Sequence, residues 1–305
     1  MTITPLPSQD AQLNHTFLDS NSINLDEKLQ VKYQALQQIF AEIAAHKENV
    51  LVAYSGGIDS TLVAKLAHDA LQNQALAVTA NSPSLLPADL DSAMEQAAWI
   101  GINHQVVLTH ELENPNYAAN PINRCYFCKS ELHDTLKPLA QELGYDIIWD
   151  GLNADDLSDY RPGIQAAKER GVRSPLAEVG ISKLEVRMLS RALGLPWWNK
   201  PAQPCLSSRF PYGEAITAEK LRRVGQAEQF IRQAGWCGDL RVRSSADTAK
   251  IEVAADQICE FLNLIPPDKI ATAFRSYGFT TVVLDLEGFR SGKLNDVLTQ
   301  NQTQF

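Results

Sequence analysis

NVLVAYSGGIDSTLVAKLAHDAL, residues 49–71, decides how this chain is read. Its opening, Asn49 to Tyr54, is a continuous apolar, β-rich run, too short for a helix and suited to a strand buried on both faces. From Thr61 onward Leu62, Leu66 and Leu71 return at helical spacing. Between strand and helix lies Ser55-Gly56-Gly57-Ile58-Asp59-Ser60. A helix start leaves about four amide hydrogens unpaired and carries positive partial charge, and paired glycines let those amides close on an oxyanion without side-chain obstruction. The loop is therefore a candidate phosphate cradle. It lacks the lysine and long glycine spacing of G-x-x-x-x-G-K-[ST], and it is not G-x-G-x-x-G. The competing reading is a tight turn capped by Ser60 or Asp59.

Working outward, LDEKLQVKYQALQQIFAEIAAH (25–46) sets Leu29, Tyr33, Leu36, Ile39, Phe40 and Ile43 on a helical stripe. ALAVTANS (75–82), HQVVLT (104–109) and YDIIWDG (145–151) read as further strands, with helical sequence between them. Strands alternating with helices predict an α/β domain over residues 25–200, a parallel sheet covered on both faces. After the proline-rich KPAQPCLSSRFPYG (200–213), a linker or an ordered site loop, the pattern changes. TAEKLRRVGQAEQFIRQAG (217–235) is a helix with Thr217 as candidate N-cap. DLRVRSS, AKIEVA and TTVVLDL are short strands, so residues 201–290 form a smaller α+β domain. Residues 1–24 read as a loose arm and 291–305 as a polar tail, and no repeat of fixed period is found.

At 305 residues the chain has room for about two domains and needs no staples to hold a core. Lys and Arg number 27 against 36 Asp and Glu, a net charge of −9 that repels polyanions, so no nucleic-acid partner is expected without a local basic patch. No apolar stretch approaches a membrane span and the N-terminus has no signal-peptide pattern, which points to a cytoplasmic protein with no membrane partner. A homo-oligomer is expected.

Cys125 and Cys128 are spaced CxxC in NRCYFCKSELH, and Cys205 lies far downstream in PCLSSR. In a reducing compartment such spacing suggests metal or redox chemistry before a disulfide. Three thiolate ligands leave a coordination position open, and soft sulfur donors suit zinc or an iron-sulfur cluster alike. A structural zinc or two ordinary thiols is the plainer alternative. Arg209, close to Cys205, is expected to lower that thiol's pKa. Cys237 and Cys259 read as small buried hydrophobes. Asp150-Gly151-Leu152-Asn153-Ala154-Asp155-Asp156 follows the fourth strand, where open α/β sheets place ligands, so Asp155 and Asp156 are candidates for Mg²⁺, or else a solvated acidic turn. Arg241 and Arg243 are two apart on a strand and share a face, fit for a phosphate or for pairing with Glu252 on the next strand. Lys183 and Arg187 are further candidates, while Trp197 and Trp198 read as core.

Ser-Gly-Gly-Ile-Asp-Ser resembles the SGGxDS signature of the PP-loop ATP pyrophosphatases, which cleave ATP between the α and β phosphates to adenylate a substrate oxygen. The resemblance implies that Ser55, Gly56, Gly57 and Ser60 hold the β and γ phosphates, that Asp59 orients the loop or Mg²⁺, and that Ser82 and Gly151 join the ATP site. With TANSPSLLP, DGLNADDLSDYRPG, SPLAEVGISKLEVR, GLPWWNKPAQPCLSSRFPYG and RVR, the chain is similar to the LarE-type sulfur insertases over residues 30 to 290. Those enzymes adenylate a carboxylate of a pyridinium dicarboxylate mononucleotide and deliver sulfur to make a thiocarboxylate, in building the nickel-pincer nucleotide cofactor. In one branch a single cysteine, at a position like Cys205, surrenders its own sulfur. A second branch adds a CxxC pair and is held to carry the sulfide on a [4Fe-4S] cluster, so the resemblance implies Cys125, Cys128 and Cys205 as cluster ligands, zinc not excluded. It also implies Cys205, Asp59 and Arg209 as catalytic residues and Arg241 and Arg243 as the grip on substrate phosphate. A tRNA thiolase and an NAD synthetase-like amide-forming enzyme are the alternatives.

Overall fold

A computed structural model describes residues 25–158, 162–201, 203–290 and 292–295. The arm expected over 1–24 lies outside the described residues, as do residue 291 and residues 296–305 of the tail expected over 291–305; within that tail Lys293–Asn295 instead form a short helical turn. Asp26 opens the first helix by accepting the Leu29 amide at 2.9 Å, and α1 (Glu27–His46) follows. Its stripe of Leu29, Tyr33, Leu36, Phe40 and Ile43 is buried, each side chain worth about 1.5–3 kcal/mol against exposure. Then come β1 (Val50–Ala53), α2 (Ile58–Leu71), β2 (Ala75–Asn81), α3 (Pro87–Ile100) and β3 (Asn103–Leu108). A short α4 (Pro115–Ala118) leads to the long α5 (Arg124–Leu143), followed by β4 (Ile147–Trp149), α6 (Pro162–Glu169), α7 (Pro175–Glu178) and α8 (Lys183–Ala192).

The four strands are all parallel in the order β3-β2-β1-β4. The apolar run of β1 explains its central place: Val50 and Val52 face the core shared with α1, α2 and α8, whereas Leu51 faces Leu136 and Ala140 of α5. The edge strand differs from the expectation of two covered faces. Most of β3 is open, with Val106 and Leu108 exposed, because the helices pack over the middle of the sheet and an edge strand has a neighbour on one side only.

Thr217 caps α9 (Ala218–Gln233) by accepting the Lys220 amide at 3.2 Å, as its sequence predicts. The chain continues through β5 (Leu240–Ser245), β6 (Thr248–Val253), α10 (Ile258–Leu264), α11 (Pro267–Ser276) and β7 (Thr281–Leu284). These strands form a second sheet, β5-β6 antiparallel and β6-β7 parallel, over a separate apolar core that includes Val242, Ile251, Phe261 and Phe274. Among the described residues no helix is long and apolar enough to cross a membrane.

Candidate functional site

β1 and β4 are neighbours, but the chain leaves β1 toward β2 on the other side. The loops after β1 and β4 therefore diverge, and the crevice of an open parallel sheet forms at such a switch point. A cavity of about 680 Å³ opens there, lined by Ser55, Gly57, Asp59 and Ser60 from one loop and by Asp150, Gly151, Leu152 and Asp156 from the other. The Gly57 N-cap of α2 makes no side-chain cap bond, so the first-turn amides are left for an anion. Ser60 Oγ accepts from the Ser55 amide at 3.2 Å and donates to the Gly57 carbonyl at 3.1 Å, knitting the turn. Gly56 sits at φ +66° and its absent Cβ would meet Ala93 Cβ at 2.9 Å, so both backbone conformation and space demand glycine.

Asp59 is held from two sides. Asn153 Nδ2 donates to its Oδ1 at 3.2 Å, and Lys183 Nζ donates to its Oδ2 in a short ion pair. Lys183 thus enters the site through Asp59. The acidic turn is half solvated, with Asp155 exposed and Asp156 buried. Asp156 accepts the Asn153 amide at 3.1 Å and faces the cavity, while Asp155 accepts the Lys183 amide at 2.9 Å, turned toward the start of α8. Lys200 adds a contact no motif announced: its Nζ donates to the Gly56 carbonyl and to Ser92 Oγ, both at 3.2 Å.

α5 begins with Arg124 and Cys125, both lining the same cavity. Cys125 is exposed, Cys128 and Cys205 are half-buried, and all three are free thiols. Arg124 is buried and donates through Nη1 to Asn120 Oδ1 at 2.6 Å and to the Ser207 carbonyl at 2.9 Å. Burial alone would lower its pKa, but the neighbouring Cys205 and Cys125 raise it, so this buried cation stands among the sulfurs. Burial pushes the Cys128 thiol up, reinforced by Cys205, Glu111 and Cys125 and opposed by Lys129. Glu111 is itself buried and accepts from Ser82 Oγ and, at 3.2 Å, from Ser84 Oγ. Tyr117 closes the niche with a 2.5 Å bond to Ser207 Oγ.

Several expected residues stand elsewhere. Arg209 is not the cation facing the thiols. It is buried against Glu228, with Nε and Nη2 bonds of 2.7 and 2.9 Å, and its Nη1 holds the Pro204 and Cys205 carbonyls. Ser82 serves Glu111 instead of the cavity. Arg241 and Arg243 leave β5 on one face, yet Arg243 lines the large cavity, whereas Arg241 lines a second of about 330 Å³ with Arg209 and Glu228. Neither is an exposed strand residue. Arg243 does bond Glu252 at 2.9 Å, and also the Ser208 carbonyl at 2.7 Å, while burial and the nearby Arg209 bring the Arg241 pKa down to about 10. Arg187 bonds Asn199 and the Lys200 carbonyl, supporting that segment. Trp197 and Trp198 are half-buried surface residues, one edge-to-face on Trp99 and the other under Arg191. Cys237 and Cys259 are exposed, because the turn and the helix face that carry them point outward.

Cys205 and Cys125 both act electrostatically on Arg124, and the same two sulfurs act on Cys128. Among the described residues, however, no three His, Cys, Asp or Glu side chains stand close enough together to hold a metal ion. A bound group would have to draw the three thiols inward.

The NAD synthase family profile matches residues 28–114, the stretch that carries the glycine loop and the first three strands. An uncharacterized protein of Synechocystis sp. is 60% identical over 89% of this chain and 100% of its own length. The pyridinium-3,5-bisthiocarboxylic acid mononucleotide synthase of Lactiplantibacillus plantarum is 40% identical over 85% of this chain and 94% of its own. An uncharacterized protein of Methanocaldococcus jannaschii is 30% identical over 80% and 92%. With a nucleotide crevice at the switch point and a relative of that identity spanning most of both chains, the protein belongs to the LarE-type sulfur insertases of the PP-loop superfamily.

Proposed function

We propose that the protein uses ATP to adenylate a carboxylate of a pyridinium dicarboxylate mononucleotide and replaces the adenylate with sulfur, yielding a thiocarboxylate, AMP and pyrophosphate. One observation carries this reading: the Ser55–Ser60 loop, Cys125, Arg124 and Arg243 line a single cavity. The α2 amides would take the β and γ phosphates, and Asp156, which lines the same cavity, would meet Mg²⁺ there. Attack of the carboxylate on the α-phosphorus breaks the bond to pyrophosphate. Attack of sulfur on the acyl carbon then forms C–S and releases AMP. Fixed cations stabilise the charge that develops in both steps, and Arg243 and Arg124 supply them within the cavity.

Cys125, Cys128 and Cys205 would hold a [4Fe-4S] cluster, which would supply sulfide at the one iron without a cysteine. Arg209 contributes by gripping the carbonyls that flank Cys205, and Arg124 by stabilising thiolate charge. Incubation with ATP, Mg²⁺ and substrate, resolved by chromatography, is expected to yield AMP. Formation of ADP would overturn the adenylation step. Iron and labile sulfide measured after anaerobic purification separate the cluster from zinc, since zinc without iron would refute the cluster.

A further inference from the structure

The C-terminal segment after β7 contributes to the reaction cavity. Gly292 and Leu294 line it, as does Arg243 of the smaller sheet. Between them Lys293 is clamped: its Nζ donates to Asp285 at 2.7 Å and to the Gly288 carbonyl at 3.4 Å, and it pairs with Glu287 at 3.2 Å. Asp285 Oδ2 is shared with Lys250 at 2.9 Å, Lys250 reaches Glu252 at 3.1 Å, and Glu252 accepts from Arg243 at 2.9 Å. Arg243 in turn donates to the Ser208 carbonyl, and Ser208 Oγ donates to the Cys205 carbonyl at 2.8 Å. Charges alternate along this path without a break, from Lys293 to the arginine in the cavity.

We propose that the segment around Leu294 is a strap that forms the substrate-facing wall of the cavity, with Leu294 contacting the pyridinium mononucleotide and Lys293 acting as the positioning residue that holds strap and Arg243 in register. The inference rests on the function proposed above. Both partners of the clamp are partly shielded from water, Lys293 at 17% and Asp285 at 11% side-chain exposure, so the pair is screened less than a fully exposed one. Burial raises the Asp285 carboxyl, but the Lys293 and Lys250 bonds outweigh it and bring the pKa to about 2, keeping the anchor ionised. An apolar side chain is suited to the flat face of a pyridinium ring, and a cavity of this size has room for a mononucleotide beside ATP.

The test measures KM for the mononucleotide and for ATP separately, in the full chain, for Lys293→Met, Leu294→Ala and Asp285→Asn, with the thermal midpoint of each. The proposal expects Lys293→Met and Leu294→Ala to raise the mononucleotide KM about fivefold or more while leaving the ATP KM within about twofold. Lys293→Met combined with Asp285→Asn should cost no more than the larger single change, because the two share one interaction. A fall in midpoint with both KM values unchanged would mean that the segment is only structural, and that would overturn it. Trypsin cleavage after Lys293 in the unmodified protein gives an independent reading: ATP, Mg²⁺ and the pyridinium mononucleotide together should slow it, and an unchanged rate counts against the strap. Failure of the unmodified protein to form any thiocarboxylate would instead sink the proposed function.

Discussion

Gly151→Ala is the substitution by which the crevice can be tested most directly. Gly151 lies where the loop after β4 presses on the start of α2. A Cβ there would lie 2.5 Å from Ser60 N, 2.8 Å from Ser60 Cα and 3.0 Å from the Asp59 carbonyl carbon. All three are backbone atoms, so no rotamer change relieves them. Ordinary contact begins near 3.4 Å, so the loop and the helix start must part by about 0.9 Å, the difference between 3.4 and 2.5. That separation moves the first-turn amides relative to the β4 loop, the two walls that would grip nucleotide. Misplacement near 1 Å costs on the order of 10²-fold, equivalent to about 2.7 kcal/mol of transition-state binding. Overpacking also costs stability, about 1–3 kcal/mol. Gly194→Ala is the matched control. Gly194 stands at φ +75° with nothing within 4 Å of its Cβ position, so it carries backbone strain of about 1–2 kcal/mol and no collision. AMP formation against ATP concentration, paired with thermal unfolding, is expected to show Gly151→Ala losing about 100-fold in kcat/KM and Gly194→Ala losing almost none. Equal turnover in the two variants would refute the geometry argued for the cradle.

Other outcomes can be checked alongside. Lys183→Met removes the cation from Asp59 but leaves Asn153, and AMP formation should fall about tenfold with the thermal midpoint nearly unchanged, read from initial rates. Arg124→Lys keeps charge yet loses the guanidinium geometry that bridges Asn120 and Ser207, so thiocarboxylate yield should drop about tenfold while ATP–pyrophosphate exchange persists, followed by isotope exchange. Glu111→Gln removes one of the charges that push the Cys128 thiol up, and mass-resolved alkylation of Cys128 should speed up several-fold at fixed pH. His133 is buried, and burial with help from Lys129 and Arg170 lowers its pKa to about 3. It stays neutral when folded but binds a proton near pH 6.5 when unfolded, so its contribution is full above that pH and is lost as pH falls toward 3, roughly 2–3 kcal/mol by pH 4.5. His133→Leu should flatten that stretch of a thermal-midpoint profile.

The α/β frame was legible because its signals are local. Val50 to Tyr54 reads as a doubly buried strand, and the structure sets β1 in the middle of the sheet with Val52 and Leu51 facing opposite cores. Leu29 to Ile43 reads as a stripe and is one. The exposure of β3 was not legible, since HQVVLT carries the same composition whether or not a helix covers it. Burial of a strand face depends on where distant helices cross, which no short window contains.

The site divides along the same line, and the arginines show why. Proximity in sequence suggested that Arg209 would serve the thiol four residues away, but a guanidinium reaches several ångströms and settles where carboxylate and carbonyls converge. For Arg209 that place is Glu228 and the Pro204 carbonyl, inside the second core. The cation that stands among the sulfurs is Arg124, at the start of α5, fixed there by Asn120 and by the Ser207 carbonyl 83 residues away. Arg124 directly precedes the CxxC pair, so its address was visible, while its partner was not. The consequence reaches the chemistry: if Arg209 were the activating cation, its loss would impair sulfur transfer through Cys205's charge. Because Arg209 instead holds the backbone of the Cys205 loop, its loss acts through position. Arg209→Lys, which retains charge but cannot hold both carboxylate oxygens and the carbonyls, should therefore be as damaging as Arg209→Met. Full rescue of sulfur transfer by lysine would return the electrostatic role to Arg209 and take it from Arg124.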